Sequence, residues 1–189
     1  MNQNKDFKIF VNDFIFTYGE FYLNRILHKK IGTKLYHKFK LMWDIILIGL
    51  EKSYIIGLAR AVERPRQLEE TISIYSFFDY KLKKHEETVF KIRNWRNKAF
   101  AHLDAKQMRE KLSFLKANKL TPAEIKKLFD TIVDVIEKLN LEFRFYKKDI
   151  RKVFNEVEKN IEKKCKIWLA EIKKSSEKAI KKIEKLIEK

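Results

Sequence analysis

Four glycines and two prolines are all that punctuate a chain of 189 residues, and this scarcity is what most limits its fold. Few tight turns are available, while Lys, Glu, Ile, Leu and Phe dominate, so long helices are favoured. The expected class is all-α. At 22.9 kDa the chain is large enough to bury a sizeable core and is read as a single domain over residues 1–189.

Periodicity places the helices. Apolar residues Phe7, Phe10, Val11, Phe14, Tyr18, Phe21, Tyr22 and Ile26 recur at helical spacing over residues 5–29, an aromatic stripe that reads as core. Thr33 is placed to cap a second helix running to about Val62, apolar on most sides and therefore expected at the centre of the bundle, with Pro65 ending it. Arg60 and Glu63 stand near its end. "TISIYSFFDY" alternates like a strand but has no partner strand, so a short helix or ordered loop is expected. A helix over about 83–103 and a weaker one over about 105–116 follow. Thr121, Pro122 and Glu124 then spell an N-cap, a first-turn proline and a capping box. From about 148 to 189 the three-and-four spacing of Ile150, Val153, Val157, Ile161, Trp168, Ile172, Ala179, Ile183 and Leu186 predicts one long amphipathic helix.

A formal net charge of +17 points to a polyanionic partner, RNA among them. The C-terminal helix is itself basic, and Lys173, Lys174, Lys181 and Lys182, together with Arg60, are candidate phosphate contacts; a solvated face docked on the bundle is the plainer alternative. Cys165 is the sole cysteine, which excludes an intrachain disulfide, and the N-terminus lacks the apolar run of a signal peptide. A cytoplasmic location is expected, with no membrane association: the most apolar stretch, residues 41–58, is broken by Asp44, Glu51 and Lys52 and reads as a buried helix.

One segment carries chemistry. "RNWRNKAFAHLDAK", residues 93–106, places Arg96, Asn97 and His102 on an otherwise apolar helical pattern. The four histidines are scattered and no cysteine cluster exists, so no metal or other cofactor is expected. The isolated glycines exclude a phosphate loop. What remains is an arginine, whose planar fork suits phosphate oxygens, and a histidine able to exchange a proton near neutrality. These are the groups that metal-free RNA cleavage needs: the ribose 2′-OH attacks the adjacent phosphate, one group takes its proton, another protonates the leaving oxygen, and a cation stabilises the phosphorane. An Arg four to six residues before a His is common by chance; Asn directly after the Arg makes the pattern much rarer.

Arg-Asn-Lys-x-x-Ala-His-x-Asp at residues 96–104 resembles the signature of HEPN domains, in particular the abortive-infection AbiU-like branch. Upstream, "LIGLEKSYIIGLARAVERP" and "ETISIYSFF" are similar to that family's long helix ending in Ala-Arg and its following Ser- and Ile-rich segment, so the likeness spans residues 40–105. The resemblance implies a helical bundle, often a metal-independent ribonuclease of toxin–antitoxin or antiphage systems, acting as a homodimer with a composite site. Arg96 would bind the phosphate, Asn97 would be the polar residue that follows it, and His102 would do acid–base work, with Lys98, Asp104 and Arg93 supporting them. An antitoxin or nucleotidyltransferase partner is also implied. Such partners often modify a Tyr two residues after the His, and here that position is Asp104.

On an ideal α-helix Arg96 and His102 stand about 120° apart in azimuth and about 9 Å apart along the axis, so a second chain's copy is expected to complete the site, Ala99 and Ala101 permitting close approach. Alternatives remain: Arg93 and Arg96 paired with Glu86, Glu87 or Glu110, or a HEPN-like module that binds nucleic acid or a partner protein without catalysis. Trp95 and Phe100 read as packing residues.

Overall fold

The computed structural model describes residues 3–63, 72–77, 82–100, 114 and 116–187, which are mainly helical with no strand among them. Helix α1 (Gln3–His28), the five-residue α2 (Lys34–Lys38) and α3 (Lys40–Ala61) form the first half. A 3-10 turn at Ile74–Ser76 occupies part of the Ser- and Ile-rich segment, in agreement with the sequence. Helix α4 (Glu86–Asn94) continues into a π-helix at Trp95–Phe100. Helices α5 (Pro122–Phe143) and α6 (Ile150–Ile187) complete the order. Pro65 and most of residues 105–116 lie outside the described residues.

Helix α1 is the hub. Its heptad-like aromatic stripe is almost wholly buried and meets α5 and α6 edge-on and face-on: Phe21 stacks on Phe129 at 5.0 Å, and Tyr18 meets Phe154 at 5.1 Å. Along its other side runs α3, antiparallel. Ser53 Oγ donates to Glu20 Oε1 at 2.6 Å, and Asn24 Nδ2 donates to the Leu47 carbonyl at 3.0 Å. Between these tethers and the helix end lies Gly57, where a β-carbon would overlap Thr17 Oγ1 and lie 2.8 Å from its Cγ2. Helix α6 runs parallel to α1: Tyr18 donates to Glu158, and Tyr22 donates to Glu162 at 2.7 Å. Burial, reinforced by the Glu162 carboxylate, pushes the Tyr22 phenol up to about 12, so this contact stays a neutral donor on a charged acceptor.

Two expectations for the second helix are corrected. It is not continuous: Phe39, at φ −122° and ψ 33°, separates α2 from α3, and Thr33 caps only the first piece, accepting from Tyr36 N at 3.3 Å. Nor is α3 the centre of the bundle or buried all round. Trp43 and Leu47 face the core, but Leu41, Ile45 and Ile48 stand 76 %, 62 % and 53 % exposed on the opposite face. The i, i+4, i+7 spacing puts these three on one stripe, and no described element covers it. Among the described residues no helix is long and apolar enough to cross a membrane.

The capping box before α5 forms as the sequence predicts: Glu124 N donates to Thr121 Oγ1 at 3.2 Å and Thr121 N to Glu124 Oε2 at 2.7 Å. Those bonds hold the Glu124 carboxyl below its ordinary range. The helix ends at Arg144 in the left-handed region, and buried Asn140 clamps the turn into α6 by accepting from Tyr146 N at 2.6 Å and donating to the Tyr146 carbonyl at 3.2 Å.

Two glycines of α3 therefore have opposite expectations. Gly57→Ala forces α1 away from α3 and should lower the unfolding free energy by about 1–3 kcal/mol. Gly49→Ala meets only open space, removes a poor helix former, and should raise it by up to about 1 kcal/mol. Urea denaturation of the two variants checks the pair; equal shifts would contradict the close α1–α3 packing.

Candidate functional site

The motif lies where the C-terminal end of α3 meets the end of α4. Two adjacent arginine contacts join the helices. Arg93 Nη2 donates to the Val62 carbonyl at 2.7 Å, a cation placed on the unsatisfied carbonyls at the negative end of α3. One turn further along, Arg96 meets Glu63 end-on, Nη1 to Oε2 at 2.5 Å and Nη2 to Oε1 at 3.0 Å. Its Nε donates to Asn97 Oδ1 at 3.0 Å. The pair is sheltered, with the Arg96 and Glu63 side chains 24 % and 19 % exposed. Such a two-point bond fixes the guanidinium plane in a way that a lysine could not.

The backbone under the motif is unusual. Trp95–Phe100 forms a π-helix, so the angle of about 120° expected between Arg96 and His102 on an ideal α-helix does not carry through this segment. The widened turn is held from outside: Asn94 Nδ2 donates to Asn118 Oδ1 at 2.9 Å, Trp95 Nε1 donates to the Asn118 carbonyl at 2.7 Å, and Asn118 Nδ2 donates to the Phe114 carbonyl at 3.0 Å. Trp95 is partly buried against the main core, a packing residue as its sequence context predicts. Pi-turns are costly enough to recur mainly where function calls for them.

His102 and Asp104 lie outside the described residues, as do the side chains of Lys98 and Phe100. Of the expected site residues, the structure brings together Arg93, Arg96 and Asn97, with Arg60 one turn before Glu63. Arg60 is exposed and lines a groove of about 530 Å³ between α1 and α3, whose walls include Phe10, Phe16, Glu20, Ser53 and Ile72. Of the alternative partners for the arginines, Glu87 pairs with Lys91 at 2.6 Å, while Arg96 meets Glu63. Glu110 is outside the described residues.

The basic helix is not part of this cluster. Trp168 of α6 stacks near Trp43 at the opposite end of α3, with ring centroids 6.2 Å apart, and roughly 30 Å of α3 separate that end from Glu63. Lys173 and Lys174 are exposed beyond Trp168, further still from Arg96; Lys181 and Lys182 belong to the same helix, their side chains outside the described residues. Cys165 is buried against Trp43 and Leu47, and burial pushes its thiol up, away from the reactive thiolate.

Glu63 is the residue that the sequence left unassigned. A carboxylate at the C-terminal end of a helix opposes the macrodipole, and that misfit between residue type and position is the signal that marks it.

A family model described as AbiU2, a HEPN family, matches residues 78–164. The match supports an AbiU-like HEPN assignment for those residues. The matched segment, a little under half of the chain, holds the motif, α4, α5 and the first part of α6. It therefore extends the likeness downstream of the motif, whereas α3 with Arg60 and Glu63 precedes it. No curated protein and no solved structure matches the chain. The abortive-infection HEPN assignment thus rests on the motif segment and on the all-α architecture around it.

A buried histidine beside the motif helix gives a pH signature. His85 precedes α4, with Nε2 2.8 Å from Thr131 Oγ1 of α5, and burial, helped by Lys84 and Lys127, lowers its pKa. The unfolded chain takes up this proton near pH ~6.5, so it binds more protons than the folded chain as pH falls below that value. The stability contribution is whole above pH ~6.5 and is lost on acidification. His85→Gln should flatten the fall in urea midpoint between pH 7.5 and about 5 relative to wild type. Parallel curves for the two proteins would contradict a neutral buried His85.

Proposed function

We propose that the chain is a metal-independent endoribonuclease of the abortive-infection HEPN type, with Arg96, Asn97 and His102 as its reacting groups. The observation that carries this reading is the arginine itself. Within the family-matched segment Arg96 is held half-sheltered at a π-turn, its guanidinium set by Asn97 and Glu63 rather than swinging free in solvent.

The ribose 2′-oxygen attacks phosphorus and its proton passes to a basic group. The 5′-oxygen leaves with a proton from an acid, and the phosphate closes into a 2′,3′-cyclic diester. His102 acts as a proton carrier, and the charge growing on the phosphorane is met by Arg96. A second copy of the chain would supply the other proton carrier. Arg60, exposed one turn before Glu63, supports binding of a flanking phosphate.

Arg96→Ala and His102→Ala are each expected to lower cleavage of a long RNA by at least about 100-fold with the far-ultraviolet signature of the helices unchanged. EDTA should leave the wild-type rate intact, and the products should carry cyclic phosphate ends. Full activity in His102→Ala, or strict dependence on added magnesium, would overturn the reading. RNA binding without cleavage by the wild type would favour a non-catalytic HEPN module.

A further inference from the structure

We propose that Glu63, which precedes the family-matched segment, is a positioning residue for RNA cleavage, acting through Arg96; the inference rests on the nuclease reading above. A guanidinium has five N–H donors. Two of Arg96's go to the Glu63 carboxylate and the Nε–H goes to Asn97. One hydrogen on each Nη remains, and their directions are dictated by the two edges already bound. Any phosphate that Arg96 contacts therefore meets a guanidinium whose plane is chosen by α3.

Glu63 is equipped to impose that choice. The backbone beside it is tied to α4 by the bond from Arg93 to the Val62 carbonyl, 2.7 Å long, so the carboxylate and the arginine are anchored at the same helix junction. The long arginine side chain gives up its rotamer freedom on folding rather than on binding RNA, which is how pre-organisation raises a rate. The macrodipole of α3 opposes an acid at this position. Without Glu63, Arg96 keeps its charge and its attraction for phosphate but loses its fixed plane.

This separates binding from turnover. Glu63→Gln keeps an acceptor and a similar shape while removing the charge-assisted fork. Steady-state cleavage by Glu63→Gln is expected to show kcat lowered by about 10- to 100-fold with KM within about twofold of wild type. In the Arg96→Ala background the same substitution should add no further loss, because the route runs through Arg96. An unchanged or raised kcat in Glu63→Gln would overturn the proposal, the latter by showing that the pair restrains Arg96. Independent, multiplicative losses in the double variant would overturn it too.

A second readout needs no RNA. In the free protein at low temperature, nitrogen-15 spectra should contain a slowly rotating guanidinium assigned to Arg96 by its absence in Arg96→Lys, and Glu63→Gln, or Glu63→Ala if the first fails to fold, should abolish it. If wild type cleaves no RNA, the nuclease reading fails by itself. This resonance still decides the other question: its persistence without Glu63 would show that Glu63 does not set the arginine.

Discussion

The aromatic seam of α1 is the constraint on which the remaining structure depends. Phe14, Tyr18 and Phe21 each meet Phe129 of α5, while Tyr18 and Phe14 also meet Phe154 of α6. One helix thereby fixes the places of two others, and the close approach at Gly57 fixes the third. Large rings supply the burial, and a single missing β-carbon supplies the register. Because α3 is set antiparallel to α1 and α6 parallel to it, the C-terminal end of α3 and the lysine-rich end of α6 are sent to opposite ends of the bundle.

That arrangement determines where chemistry can sit. The negative end of α3 is a poor place for a carboxylate and a good one for cations, and the structure answers with Arg93 on the Val62 carbonyl and Arg96 on Glu63. The arginines thus complete the electrostatics of a helix terminus and tie that terminus to α4 and the π-turn. The π-turn beneath them, held by the Asn118 contacts to Asn94 and Trp95, departs from regular helix at Arg96 and Asn97.

Much of this was legible in the sequence, and the failures have physical causes. The capping box at Thr121 and the aromatic stripe of α1 were readable because each depends on residues close in sequence. The match to an AbiU-like HEPN family was readable because the wording around Arg96 is local too. Breaks in helical hydrogen bonding, at Phe39 and at Trp95, leave no compositional trace: neither involves glycine or proline. The exposure of Leu41, Ile45 and Ile48 is not legible in the sequence, because apolarity on most sides of a helix does not say which sides find partners. Glu63 escaped because its partner Arg96 lies 33 residues away in the sequence. The separation of the basic helix from the motif was invisible for the same reason: it follows from the relative direction of α1, α3 and α6.

The central claim is that RNA is cut by attack of its own 2′-hydroxyl at a site built on Arg96 and His102. The most direct measurement uses an oligonucleotide with a single cleaved position, compared with the same oligonucleotide carrying one 2′-deoxy substitution at the nucleotide whose hydroxyl would attack, both in EDTA. The account expects the deoxy strand to bind with affinity within about twofold of its parent, since phosphate contacts carry the binding, and to remain uncut at that position. Cleavage of the deoxy strand there at the parent's rate would require an external water as nucleophile and would contradict the account.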